Sequence, residues 1–450
     1  VITKQAVRLD SPEGLQRAVP AVDVLGIGFG PSNLSLGIAL SETFFSDAIV
    51  FLEKQKAFAW HRDMLIADAT MQVSFLKDLA TCRNPQSSFT FINYLKSKGR
   101  LADFINLKTF YPTRIEFHDY LEWCALHFVD AVRYGCAVKR IEPVEDQSGQ
   151  VRWLRVFASD NEGLVEKVYL ARSIVCATGL TPKFPANASE GPRVWHSQAL
   201  KRKIRGISEN AKVRFAVVGS GQSAAEIVDY LLTRFPNADV HAICSRYGYM
   251  PADDSPFVNQ IFDPEAVDIF YNASRSTKRE VLRLHAQTNY GAVDLDLIQR
   301  LYHRWYHDRL EGSHRFCFHR LSRLEKYSEL PDDVLLQLDS GAEGSSTLRV
   351  DYLIFASGYN IVCPSHLFAP ELREMCLRDD EGTLEIGRDH RVATSAKLTA
   401  PIFVNGGQEQ THGLSATLIS NMAVRSGELA ESLRTQLSAH AAGYSYGIKM

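Results

Sequence analysis

The stretch Asp23-Val24-Leu25-Gly26-Ile27-Gly28-Phe29-Gly30-Pro31-Ser32-Asn33 limits the fold more than any other. It reads as a buried apolar strand, a tight glycine turn and the start of a helix. Gly26 is expected to make the sharp turn, and Gly28 to let the backbone approach a pyrophosphate. The helix N-terminus beyond offers unpaired N–H groups and the positive end of its dipole. In a G-x-G-x-x-G pattern the third glycine would fall at position 31, where Pro31 stands. Proline suits the first helical turn, so the helix start survives. Gly26, Gly28, Gly30 and Pro31 are thus candidate contacts to a dinucleotide. A second apolar strand, Ala48 to Leu52, ends in Glu53, close to the spacing at which a carboxylate bonds a ribose hydroxyl.

A second such pattern follows. Val213 to Val218 reads as a strand, and Gly219-Ser220-Gly221-Gln222-Ser223-Ala224-Ala225-Glu226 opens a helix. Ala224 replaces the third glycine, where only a small residue is needed for close packing. Gly219, Gly221, Gln222 and Ser223 are its candidate cofactor contacts. The registers match: Glu53 follows Gly26 by 27 positions, and Arg246 follows Gly219 by 27. A carboxylate there favours a 2′-hydroxyl and a guanidinium a 2′-phosphate. The first turn therefore suits FAD or NAD, and the second NADPH.

A chain of 450 residues has room for two or three domains. A net charge of −2 provides no basic field for nucleic acid. The eight cysteines form no C-x-x-C pair and no metal-ligand spacing, as in a reducing cytoplasm, so no metal site is expected. Gly, Pro and Asn interrupt the apolar run from Ala21 to Leu40, which argues against a membrane span. The first twenty residues lack a signal-peptide core and read as a mobile arm. Helices are expected at Phe89 to Leu95 and from about Glu116 to Phe128. A helical, aromatic-rich insertion carrying substrate contacts is expected between Tyr249 and about Leu330, with strands resuming after it.

Two dinucleotide sites in one chain imply electron transfer, most simply hydride from NADPH to a flavin. No paired redox cysteine follows the first turn, which leaves oxygen, a quinone or a protein partner as electron acceptor; with no membrane segment and no strong charge patch, oxygen is the leading one.

Gly26 to Asn33, Trp60-His61, Met71 to Leu79, Gly219 to Glu226, Asp253 to Asn259, Thr288-Asn289-Tyr290 and Thr411 to Ser420 together resemble the microbial N-hydroxylating flavin monooxygenases. Within them they most resemble the L-ornithine N5-monooxygenases of hydroxamate siderophore biosynthesis. The resemblance covers nearly all of the chain after residue 20. It implies FAD, NADPH with NADP+ retained, and O2 as co-substrate, with oxygen passing to the amine through a flavin C4a-hydroperoxide. It implies a homotetramer and an α/β fold of two Rossmann-like dinucleotide-binding domains with a small, mostly helical substrate domain. Those domains would be 21–208 with 369–450 for FAD, 209–248 with 330–368 for NADPH, and 249–329 for substrate.

Carried over by motif, Lys77 resembles the lysine that pairs with the substrate α-carboxylate, and Asn259 and Asn289 the asparagines that hold the amino acid. Gln72 resembles the glutamine lining the flavin and NADP site; with Asn289 it is the candidate catalytic residue. Arg114, Trp60 and His61 are placed beside the cofactors, and Ser415 or Ser420 at the substrate. The sequence departs from many relatives at Ser245 and Met250, where they carry basic residues; here only Arg246 is nearby. Taken alone, Lys77 reads as a surface lysine, Asn259 and Asn289 as capping residues, and His61, His196 and His412 as structural. L-Lysine or a diamine such as putrescine or cadaverine are rival substrates. A flavin reductase serving a partner protein and a non-catalytic nucleotide-binding protein are the rival functions.

Overall fold

A computed structural model of the chain describes residues 6–7, 19–43, 48–160, 163, 165–253, 255–289, 291–341 and 344–442. The first sheet is built on β1 (Val19–Ile27), which turns into α1 (Pro31–Ser41) and is followed by β2 (Ile49–Glu53). β1 pairs in parallel with β2 on one side and with β3 (Glu166–Cys176) on the other. Ile402–Val404, far along the chain, adds in parallel to β3. Val151–Asp160 and Cys136–Glu145 continue from β3 as an antiparallel pair. Val24 and Leu25 are fully buried, because both faces of this part of the sheet are covered, the Val24 face by α1 and the C-terminal helix and the Leu25 face by the antiparallel strands and the segment 367–404. Such strands read as continuous apolar runs without alternation.

The second sheet repeats the arrangement. β4 (Arg214–Val218) turns into α2 (Gln222–Arg234) and pairs in parallel with β5 (Asp239–Ile243) and with β6 (Tyr352–Phe355). Phe316–His319 and Val194–His196 complete it in parallel. An antiparallel trio, Ser322–Glu329, Val334–Ser340 and Gly344–Val350, follows one edge strand in sequence. The fold is thus mixed α/β, with parallel and antiparallel strands.

Inserted between β5 and its neighbour Phe316–His319 come the helices Pro256–Asn259, Pro264–Asn272, Arg275–Asn289 and α3 (Leu295–Leu310). The helical stretch is shorter than the sequence suggested. Phe316–His319 is a strand, not helix, because Phe316 and Phe318 alternate along β5's open edge. The tail ends in α4 (Met422–Ala442), which packs on α1. α1 buries residues all round, Asn33 to Leu40, as an enclosed helix must.

Other boundaries moved for local reasons. The helix expected from Glu116 begins at Arg114, because the Thr113 hydroxyl caps it by accepting from Glu116 N at 3.1 Å. The expected helix at Phe89 to Leu95 runs Phe91–Ser97, capped by Thr90. The arm expected over residues 1–20 lies mostly outside the described residues. Val19 and Pro20 belong to β1, where Val7 and Ala6 pair with them. Among the described residues no helix is long and apolar enough to cross a membrane.

Candidate functional site

The first glycine turn differs from expectation in which glycine bends. Gly26 still lies in β1, and its Cα faces the Phe51 ring. The turn falls at Gly28, whose φ is +83° and where any Cβ would overlap the Ala177 carbonyl oxygen. Gly30 caps α1 with φ −79° and ψ −172°, and a Cβ there would meet nothing within 4 Å. So Gly26 and Gly28 serve packing, while Gly30 leaves open space before a helix N-terminus that has no side-chain cap. Glu53, at the end of β2, closes the turn from below. Its carboxylate accepts Phe29 N–H at 2.7 Å and Gln55 N–H at 2.8 Å. A phosphate at the helix start and a ribose at Glu53 fit this geometry.

The second turn packs in the same way. Gly219 has φ +155°, and a Cβ there would lie 2.6 Å from Ala356 O and 3.0 Å from Ala224 Cβ. That approach is why Ala224 serves in place of a glycine. Gly221 caps α2, again without a side-chain cap, and Gln222 and Ser223 form its first turn. Each turn therefore leans on the carbonyl just beyond a neighbouring parallel strand, Ala177 after β3 and Ala356 after β6. Arg246 lies after β5 and donates through Nη1 to Gly291 O at 2.6 Å. Its remaining N–H groups are the guanidinium donors available to a 2′-phosphate.

A polar chain joins the residues assigned to the two cofactors. Gln72 Nε2 donates to Asp294 Oδ1 at 3.0 Å, and Gln222 Nε2 donates to Asp294 Oδ2 at 2.7 Å and to Glu226 Oε1 at 2.8 Å. Glu226 Oε2 in turn pairs with Arg114 Nη1 at 2.8 Å. Glu226 is buried, and that burial holds its carboxyl above the usual carboxylate range. Trp60 and His61 lie along the same side: Trp60 packs on Phe117, and the His61 ring contacts Tyr359, just past the end of β6.

Of the candidate substrate residues, Asn259 is exposed at the end of its short helix, and the turn beyond it, Gln260–Phe262, packs against Leu414–Thr417. The Arg275–Asn289 helix packs against that segment too. The Asn289 side chain and Tyr290 lie outside the described residues. Ser415 and Ser420 are both buried, and among the described residues the Ser420 hydroxyl has no hydrogen-bond partner. Lys77 is half-buried in a turn, its N–H donating to Ser74 O.

Sequence reasoning missed Asp294, the role of Glu226, and a buried guanidinium. Arg425, 3% exposed, donates to Asn405 Oδ1 at 3.1 Å and to Ala416 O at 2.7 Å. Asn405 Nδ2 reaches Asn33 Oδ1 at 3.1 Å, and Asn33 holds Gly28 O at 2.8 Å. Burial pushes the Arg425 guanidinium down to about 10. This chain ties the first turn to the tail segment carrying Ser415.

Comparisons with known proteins identify the family. A model of the family "L-lysine 6-monooxygenase/L-ornithine 5-monooxygenase" matches residues 20–361. The L-ornithine N(5)-monooxygenase of Pseudomonas aeruginosa is 38% identical over 424 residues, covering 92% of this chain and 94% of the relative. The ornithine N-hydroxylase of Kutzneria sp. 744, solved with reduced FAD, NADP+ and L-ornithine, superposes with a TM-score of 0.89 at 42% identity, covering 93% of this chain and all of that one. The L-lysine 6-monooxygenase of Pseudomonas syringae has a TM-score of 0.80 at 29% identity, covering 92% and 100%. With two matched glycine turns, the polar chain between them and similarity over 92% of its length, the protein belongs to the L-lysine 6-monooxygenase/L-ornithine 5-monooxygenase family.

Proposed function

We propose that this chain hydroxylates the side-chain amine of L-ornithine, giving N5-hydroxy-L-ornithine for hydroxamate siderophore biosynthesis. NADPH, a proton, O2 and the amine are consumed; NADP+, water and the hydroxylamine are produced. The carrying observation is the pair of matching glycine turns whose assigned cofactor residues, Gln72, Arg114 and Gln222, converge on one polar chain. Similarity to the ornithine N-hydroxylase of Kutzneria and the ornithine monooxygenase of Pseudomonas aeruginosa supports ornithine over lysine.

Bound FAD would relay two electrons from NADPH to O2, so that one oxygen atom of O2 reaches the amine and the other leaves as water. The protein holds its phosphates at the α1 N-terminus and its ribose at Glu53. The α2 N-terminus and Arg246 hold NADPH, and Gln72 and Arg114 stand at the junction of the two. Lys77 pairs with the substrate α-carboxylate, while Asn259, Asn289 and Ser420 hold the rest of ornithine. The unpaired buried hydroxyl of Ser420 favours it over Ser415. The reacting amine must be neutral, since only its lone pair can take up oxygen, and its ordinary pKa is about 10.4. Neutral partners such as Asn259 and a dry pocket favour that form; a carboxylate would oppose it.

Val194–His196 and Phe316–His319 both join the second sheet, so the limits expected at 208 and 330 shift: the FAD unit is assigned to about 21–190 with 369–450, the NADPH unit to about 191–248 with about 312–368, and the substrate helices to the span between. The assembly is a homotetramer, and the location is cytoplasmic, in keeping with eight unpaired cysteines. The test is hydroxylamine formation from ornithine, lysine and putrescine in parallel, with NADPH consumption followed. Ornithine should give the most product per NADPH. A preference for lysine or putrescine would move the substrate, and NADPH oxidation without hydroxylamine would make the protein a reductase.

A further inference from the structure

We propose that Asp294 is a positioning residue for this hydroxylation: its carboxylate sets which end of the Gln72 amide faces the cofactors, and holds the segment leading from Asn289 against the NADPH-side helix. The inference rests on the reading above for what Gln72 and Asn289 do.

Asp294 occupies the N-cap of α3, where an aspartate ordinarily accepts from the N–H groups of the first helical turn. It makes no such bond. Both oxygens are turned instead to glutamines from distant parts of the chain, Oδ1 to Gln72 and Oδ2 to Gln222. Its own N–H donates to Gln222 Oε1 at 2.9 Å. A cap left unused by the helix it begins indicates a carboxylate held for another purpose.

The orientation of Gln222 is fixed. Its Nε2 donates to both Glu226 and Asp294, and its Oε1 accepts Asp294 N–H. Turned over, it would set its oxygen against two carboxylates and its N–H groups against the Asp294 N–H. A carboxylate such as that of Asp294 offers only acceptors. Gln72 must therefore present Nε2 to it, which leaves Oε1, an acceptor, directed away from Asp294. The three residues before Asp294 are tied to the same side. Gly291 O accepts from Arg246, whose guanidinium lies close against Gly291. Ala292 and Val293 pair in parallel with Met250 and Pro251. The stretch from residue 291 to 294 thus connects Arg246, Gln222 and Gln72 to a helix that ends at Asn289.

Asp294→Asn keeps the shape but turns one acceptor into a donor. Gln222 cannot turn over, so Gln72 must, reversing the face it presents. The experiment uses FAD-loaded full-length protein and follows three readouts: hydroxylamine formed per NADPH consumed, the rate of NADPH-driven flavin reduction, and hydrogen exchange in the peptide spanning residues 286–297. Asp294→Asn should cut product per NADPH about five- to tenfold, the worth of one hydrogen bond, with exchange near wild type. Asp294→Ala should lose product and also raise exchange over residues 291–294. Wild-type coupling in Asp294→Asn would overturn the assignment. Should the wild-type protein leave ornithine untouched, the functional reading fails on its own. Exchange then decides this inference, and equal exchange in Asp294→Ala and wild type would sink it.

Discussion

Gly28 and Gly30 stand two residues apart in one turn, yet the structure gives them opposite reasons to be glycine. Gly28→Ala would force an L-residue to φ +83° and drive its methyl into the Ala177 carbonyl oxygen. The left-handed backbone costs about 1–2 kcal/mol, and overlap with a fixed backbone atom adds roughly 1–3 kcal/mol. The variant should therefore lose about 2–5 kcal/mol of stability before any cofactor is added. Gly30→Ala sits at φ −79° and ψ −172°, where any residue is at ease, and its methyl enters open space. Its stability loss should stay within about 1 kcal/mol, the worth of a poorer N-cap.

Affinity for FAD should order the two differently. A methyl at Gly30 occupies the space before the α1 N-terminus and pushes a phosphate off one N–H donor. Hydrogen bonds to a charged group are worth about 1.5–3 kcal/mol, so FAD should bind roughly 10- to 100-fold more weakly. Denaturant midpoints of the apoproteins and fluorescence titration with FAD measure the two quantities separately. Gly30→Ala binding FAD like wild type, or losing as much stability as Gly28→Ala, would refute the division of roles.

Arg246→Ala should weaken NADPH more than NADH in binding titrations, because only the 2′-phosphate distinguishes them; equal loss removes Arg246 from that site. Lys77→Ala should raise the ornithine requirement by orders of magnitude, since an unpaired carboxylate in a partly dry pocket costs about 3–5 kcal/mol. Flavin reduction by NADPH should be nearly intact and putrescine turnover little affected; steady-state assays with both amines, beside stopped-flow reduction, decide it. Burial, assisted by His390 and Arg388, holds the His412 imidazole down to about 3. The unfolded chain takes up that proton near 6.5, so stability is complete above that pH. It should fall by up to about 1.4 kcal/mol per pH unit as pH drops toward 3. Between pH 6.5 and 5 the slope of the urea midpoint sums this effect with those of His61 and His241, which burial holds down to about 4, while Glu428, held at about 2 by Arg388 and His390 against burial, contributes its own loss only below about 4.5. His412→Gln should therefore make the slope shallower than wild type without abolishing it, and an unchanged slope would count against it.

Both glycine turns were legible because turn chemistry is local. A strand, two glycines and a helix start lie within a dozen residues, and the equal spacing to Glu53 and Arg246 is arithmetic on the chain. Which glycine bends was not legible. That depends on where Phe51 and Ala177 press, and both come from other strands. The strand Phe316–His319 was hidden for a similar reason. Four residues with two phenylalanines suit a helix face as well as a strand until β5 presents an open edge. Asp294 was the least visible, since an aspartate before an apolar helix is the ordinary sign of a cap. Only the fold brings Gln72, 222 positions earlier, to its carboxylate.

Glu226 and Arg425 did leave a signal in the sequence. Glu226 stands among Ala224, Ala225, Ile227 and Val228, and Arg425 between Ala423 and Leu429, all of them buried. A charge in an apolar helical register is costly to bury unless partners meet it. Its presence there means that another segment supplies those partners. For Glu226 the partner is Arg114, and for Arg425 they are Asn405 and the Ala416 carbonyl. Each misfit marks a junction: Glu226 joins the second turn to the helix opened by Arg114, and Arg425 joins the first turn to the segment carrying Ser415. Motifs locate the surfaces that hold the cofactors. The buried charges that break helical periodicity locate the seams along which those surfaces are brought together, and at such seams two cofactors and an amine have to meet.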